Sequence, residues 1–279
     1  MLDVLLSPFM LRAYVAVFVL SLIALGGGGI AILRGVAYLP AESAHAALGG
    51  AALGVFLEYA TGLDVNPYAM AILFSVAASL IVAYAGRHAG PEVVGIAIAG
   101  ALAISVSMYA FFRSLLPSWL QAKVDGYLLG DILLLSPMEL IELAFMTAIS
   151  VLFLIFFYHE IIYICFDPEG TNAMGLNVAL YDYLLFGMMG LAGGLATKAV
   201  GSLLVFALVM VPAAIARELA LDVRSFLTLT MTLTLIFGYV GLVLSVLWNL
   251  ASSGTIAIIA SLAYIVIIVG KKMGKKYLF

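Results

Sequence analysis

Charge is scarce in this sequence. Its 279 residues include 12 Lys and Arg and 15 Asp and Glu, or 10% charged, where a soluble domain carries about 25%. The hydrophobic share is 66% and the mean hydropathy +1.24. That excess excludes a single soluble core and fits a chain whose solvent is lipid. A net charge of -3 leaves no strongly basic surface, so no nucleic-acid partner is expected. Cysteine occurs once, as Cys165, which excludes an intrachain disulfide. By type it reads as a small buried or interfacial apolar residue.

Several motifs are also missing. There is no G-x-x-x-x-G-K-[ST], so the chain cannot hold ATP by a P-loop, and no H-E-x-x-H, so there is no zincin site. Tyr181-Asp182 offers half of an intramembrane aspartyl protease pair, but no G-x-G-D stands on another span. A single Asp cannot do two-carboxylate acid–base work. Asp182 reads instead as an acid at a helix start, where the helix dipole favours it. The beginning, MLDVLLSPFMLRAYV, lacks a basic start and an A-x-A site, so it is not read as a cleavable signal. The expectation is one transmembrane domain over 1–279.

Long apolar runs are what the sequence has in place of these. About 20 apolar residues cross a bilayer. Nine such runs are predicted, at 10–33, 41–60, 68–86, 93–112, 138–164, 181–198, 199–216, 225–248 and 254–270. The sixth and seventh abut at Lys198–Gly201, which implies a tight turn. The run 127–135 is too short to span and reads as re-entrant or interfacial. Lys and Arg favour the cytoplasmic side. The KKMGKK tail therefore sets a cytoplasmic C-terminus, and nine crossings set an external N-terminus. Arg34, Arg87, Arg217, Arg224, Lys271, Lys272, Lys275 and Lys276 then lie inside. Arg12, Arg113, Lys123 and Lys198 lie outside.

Two connections carry more than turn chemistry. The outer one, 113–137, is bracketed by Pro117 and Pro137, and its Trp119 and Tyr127 suit the headgroup zone. The inner one, 166–180, reads FDPEGTNAMGLNVAL. Asp167 can cap a helix there, Pro168 can open it, Glu169 sits in the first turn, and Gly175 is placed to stop it. That predicts a short helix of about two turns outside the bilayer, with an ordinary interfacial helix as the structural alternative. Pairs such as Gly50 with Gly54 and Gly190 with Gly194 have the small-xxx-small spacing of close helix packing. The run Gly26–Gly29 should loosen the first span.

Ionisable groups within spans are costly and point to function. His45 lies in the second span, PAESAHAALGGAALG, with Glu42 three residues before it. That spacing predicts one helical face, and a carboxylate with an imidazole suits a first-row divalent cation. Two ligands do not complete a site, so other spans must supply the rest. A helix-start Glu and a packed histidine are the structural alternative. His88 and His159 sit at span ends and read as solvated. Glu58, Asp64, Asp125, Asp131, Glu139 and Glu142 give the outer face an acidic cast, which could gather cations or engage a basic partner. From these residues alone, a stand-alone channel or secondary carrier remains open beside a subunit of a larger transporter.

The chain resembles the permease subunits of binding-protein-dependent ABC transporters for zinc, manganese and iron. The resemblance runs roughly from 10 to 270 and rests on stretches in order: AESAHAALGGAALG, DGYLLGDILLLSPMEL, FYHEIIYICFDPEGTNAMGL, VGSLLVFALVMVPAAIAREL and, more weakly, GLVLSVLWNLASSGTIAI. It implies an all-α polytopic bundle like that of the vitamin B12-importer permeases without their first helix, in a prokaryotic cytoplasmic membrane. It further implies a homodimer with two cytoplasmic ATP-binding subunits and an extracytoplasmic metal-binding protein. The metal is the cargo, ATP belongs to the partner subunits, and the permease carries no cofactor. On this resemblance Asp167, Pro168, Glu169, Met174 and Gly175 form the coupling helix that docks on the ATPase. His45 and Glu42 fall on the metal pathway. The match departs from the family at the pathway motif. Ala41 stands where the family has its acid, Glu42 follows it, Ala44 precedes the histidine, and Gly49 replaces a proline. Later, Asn249 and Ser252 stand for an Asp and a Pro.

Overall fold

The computed structural model describes residues 6–276, and the regular elements among them are all helical. In chain order they are α1 (Pro8–Leu33), α2 (Leu39–Thr61), α3 (Pro67–Ala89), α4 (Pro91–Ser114), α5 (Ser118–Leu129), α6 (Pro137–Phe156), α7 (Tyr158–Phe166), α8 (Pro168–Ala173), α9 (Val178–Val200), α10 (Ser202–Leu219), α11 (Val223–Trp248) and α12 (Ser252–Lys276). The first residues of the signal-peptide reading and the side chains of Lys272, Lys275 and Lys276 lie outside the described residues.

Among the described residues, eight helices are long and apolar enough to cross a membrane. They account for eight of the nine expected spans. The remaining one, 41–60, is α2. It has 23 residues, roughly 34 Å at 1.5 Å per residue, but Glu42, His45 and Glu58 dilute its hydropathy. Its surroundings resolve the conflict, because most of α2 is buried among neighbouring helices and not offered to lipid. By contrast α4, α6 and α12 leave most of their apolar residues at the surface, as lipid-facing helices should.

Side-chain contacts at the helix ends give the chain its direction. Arg34 after α1 and Arg87 at the end of α3 meet Asp182 at the start of α9. Glu58 near the end of α2 meets Lys123 of α5, and Ser252 at the start of α12 meets Asp131. The described chain therefore enters at one end of the bundle and leaves at the other, which is the α8 end. Arg34, Arg87, Arg217, Arg224 and Lys271 gather at the α8 end. Arg12, Arg113, Lys123 and Lys198 lie at the opposite one.

Local sequence explains the irregularities. Residues Leu25–Ile30, LGGGGI, form a π-helical turn within α1, the loosening expected of Gly26–Gly29. Gly28 packs there on the Val209 backbone of α10. Pro212 in α10 cannot donate to the Leu208 carbonyl. The Thr234 hydroxyl of α11 donates to that carbonyl instead, at 3.2 Å. Added methyls at Gly50 and Gly190 would lie 2.5 Å from the Met70 carbonyl oxygen and 2.8 Å from that of Ser75, so both glycines exist for close packing on α3.

Two expectations need correcting. The single span 138–164 is two helices. α6 ends at Phe157, whose backbone (φ -108, ψ 23) leaves the helical region, and α7 continues beyond. The ring of Phe157 is held by Phe153 and Tyr181, at 5.1 and 5.7 Å between centroids, which fixes the break. Tyr127 is not the exposed ring that a headgroup position would show, but half-buried. It turns inward and packs with Ala47, Ala51 and Ala71, whereas Trp119 is exposed as expected. The segment 127–135 finishes α5, turns at Gly130 and ends in a 3-10 turn, Ile132–Leu134. Ile132 and Leu135 are buried in the main core, so this piece is folded into the end of the bundle.

Candidate functional site

The second helix carries the pathway candidates in its first two turns. Glu42 is completely buried, and neither of its carboxylate oxygens has a hydrogen-bond partner among the described residues. It stands two turns before Gly49, where an added methyl would lie 2.7 Å from the Ser105 carbonyl oxygen of α4. Glu42 is thus on the side of α2 that faces α4. An ionised carboxylate so placed costs several kcal/mol. His45 is half-buried, and its Nδ1 lies 2.7 Å from the Ala41 carbonyl oxygen. A carbonyl only accepts, so Nδ1 carries a proton, which leaves Nε2 as the nitrogen that can face a metal when the ring is neutral. Three positions on a helix differ by about 60° in azimuth, and the bundle surface passes between these two. Among the described residues no three His, Cys, Asp or Glu side chains are grouped to hold a metal ion. His45 and Glu42 are neighbours on one helix, and the described residues add no third ligand to them.

The α8 end holds the expected short helix. Pro168–Ala173 is six residues, somewhat under two turns. Asp167 caps it, accepting from the Gly170 N–H at 2.8 Å, and Thr171 Oγ1 donates to the Asp167 carbonyl at 2.6 Å. Gly175, at φ +88, ends the run in a conformation that favours glycine. Thr171 turns inward. Glu169, Asn172, Ala173, Met174 and Gly175 are exposed. The result is a capped knob whose outer surface is exposed.

Next to it lies a cluster that sequence reasoning missed. Arg34 donates from Nε and Nη2 to the two carboxylate oxygens of Asp182, each at 3.0 Å, and Arg87 Nη1 donates to Oδ2 at 3.4 Å. These residues line a cavity of about 520 Å³ together with Pro168 and Glu169 of α8. Asp182 had read as a helix-dipole acid. The only sequence signal for its partners is that Arg34 and Arg87 share its side of the membrane. His88 and His159 are exposed, with His88 stacked on Tyr84 at 4.0 Å, as expected of span ends.

At the opposite end much of the acidic cast is neutralised. Glu58 pairs with Lys123 at 2.9 Å, and Lys198 reaches Glu139 at 3.3 Å and Glu142 at 4.0 Å. Arg113 donates twice to Asp125, and the Tyr109 hydroxyl adds a third bond at 2.7 Å. The Arg113 guanidinium holds the Asp125 carboxyl below its usual range. Asp131 accepts from the Leu133 N–H and from Ser252 Oγ, at 3.0 and 2.6 Å. Asp64 remains exposed.

Comparison with known proteins identifies the family and the fold. The chain is 25% identical over 261 residues to the manganese import system permease protein ScaB of Streptococcus gordonii, covering 92% of this chain and 90% of that one. It is 25% identical over 250 residues to the high-affinity zinc uptake system membrane protein ZnuB of Haemophilus influenzae, with 88% and 92% covered. Its fold matches the solved structure of PsaBC from Streptococcus pneumoniae in complex with Fab, at a TM-score of 0.78 and 24% identity, covering 95% of this chain and 92% of that chain. Residues 7–271 match the ABC 3 transport family, and the chain belongs to that family.

Proposed function

We propose that this chain is the membrane-spanning subunit of an ATP-driven importer for a divalent transition metal ion, manganese or zinc first and iron next. The observation that carries the reading is the α8 knob: a capped, exposed helix at the end of a transport-family bundle that has no P-loop of its own. A stand-alone channel or carrier does not require such a helix. The complex then comprises two copies of this chain in lipid, two cytoplasmic ATP-binding subunits on the α8 end, and an extracytoplasmic metal-binding protein on the opposite end. The basic residues at the α8 end support a cytoplasmic placement of that end.

Within this reading His45 contacts the passing metal through Nε2, and Glu42 supplies a carboxylate when the bundle rearranges. Each protomer brings an incomplete ligand set. That suits a site which must bind briefly and release. Alternating access is driven from α8, where Asp167, Pro168, Glu169, Met174 and Gly175 form the docking element. The test is uptake of manganese and zinc ions by the assembled complex in proteoliposomes. His45→Ala should cut uptake at least tenfold with assembly intact, and His88→Ala should change little. Parental uptake of both metals by His45→Ala would make the histidine a packing residue.

A further inference from the structure

Among the described residues Asp182 is the most enclosed acid in an ion pair, with a side chain only 7% exposed. Its three bonds come from two other elements, from arginines 148 and 95 residues away. Arg34 follows α1 directly and leads through Gly35–Tyr38 into α2, where Glu42 and His45 occupy the first two turns. Arg87 ends α3. Asp182 lies in α9, which begins four residues beyond α8. A two-pronged guanidinium–carboxylate pair is strong and directional, and partial burial protects it from screening. It therefore holds these ends in register where apolar contacts would let them slide. The cavity beside it, shared with Pro168 and Glu169, leaves α8 room to shift.

We propose that Arg34, Asp182 and Arg87 are positioning residues for coupling: they carry a displacement of α8 to the start of α2, where the pathway residues sit. This rests on the reading of α8 as the ATPase-docking element. Pushed by the ATPase, α8 moves the first two turns of α9, which include Asp182. Asp182 draws Arg34 with it, and the turn Arg34–Tyr38 reorients the entry of α2. A merely structural cluster would neutralise two basic side chains and nothing more.

The two roles separate in the ratio of metal ions moved to ATP hydrolysed, measured per inserted complex with manganese and zinc ions as probes. Asp182→Asn keeps the shape and loses the charge. It should lower that ratio about tenfold, with ATPase docking and basal hydrolysis retained. Arg34→Lys keeps the charge without the two-pronged grip and should lower it about threefold. Should Asp182→Asn fail to insert, Arg34→Lys and Arg87→Gln carry the test. A parental ratio in properly inserted Arg34→Lys and Asp182→Asn would overturn the proposal. Glu169→Arg, run in the same assay, separates the two levels. If it uncouples while the cluster variants do not, only the joint is wrong. If it transports with normal coupling, the role of α8 falls and the joint with it.

Discussion

The two ends of this bundle are held together by different means. At the α8 end, three helix ends meet through side chains: a nearly buried carboxylate gripped by two arginines beside a cavity. At the opposite end the backbone itself is the contact. α9 and α10 are joined by a single residue, Gly201, at φ +79, and its backbone lies directly on that of Gly130 in the segment between α5 and α6. Ser252 and Ser253 of α12 fasten the same segment, at 2.6 and 3.0 Å. The ion pairs there are rim features, a quarter to nearly half exposed. A side-chain joint can release and re-form, whereas glycine seams have one close-packed arrangement. The difference suits a device that receives force at one end.

The sharpest way to break this contrast is at the seam. In Gly201→Val the left-handed backbone is strained, and the new Cβ would lie 2.5 Å from the Leu129 backbone. Strain and overpacking together should cost about 3 kcal/mol or more. That would be read as a large fall in the thermal midpoint of the solubilised protein, or as loss of insertion. Asp182→Ala comes next. Removing the carboxylate leaves Arg34 and Arg87 partly buried and unpaired. Breaking a fully buried pair costs about 3–5 kcal/mol, and the solvent reaching these arginines brings the expectation to about 2 kcal/mol. Equal midpoints for Asp182→Ala and the parent would erase the distinction between the ends.

Smaller effects sharpen it. Lys123→Ala removes a pair at the exposed rim and should change stability by less than about 1 kcal/mol, an effect that shrinks further in high salt. Asp125 gives a pH handle. Its carboxyl is depressed chiefly by Arg113, so the stabilisation is present above the unfolded value near 3.8 and is lost as pH falls through the folded value. Below about pH 4 the parent should lose a little stability that Asp125→Asn never had. An identical acid limb in the two proteins would mean that the Arg113–Asp125 pair is not held in solution.

Much of this was legible in the sequence because lipid leaves few choices. Apolar runs become helices, and α8 announced itself through Asp167, Pro168 and Gly175, whose types leave few other local structures. The glycine run of α1 announced a loosening, which the structure makes a π turn. What was not legible is whatever depends on distant partners. Asp182 and Arg34 are 148 residues apart, and no local pattern pairs them. The break at Phe157 comes from ring contacts with Phe153 and Tyr181. Tyr127 looks interfacial by type yet is drawn into the core by the alanines opposite. The shared face of Glu42 and His45 was correct as helical arithmetic, but their unequal burial depends on where α4 passes. That same burial leaves Glu42 without donors, which no spacing rule reveals.

The most direct test of the central claim is ATP-driven uptake. Proteoliposomes holding this chain with its ATP-binding subunits, and supplied with the extracytoplasmic metal-binding protein, are given labelled manganese or zinc ions with and without hydrolysable ATP inside. The account predicts accumulation only with ATP, reduced at least tenfold by His45→Ala and uncoupled from hydrolysis by Glu169→Arg. Equal uptake without ATP, carried by this chain alone, would contradict it and make the protein a channel or carrier.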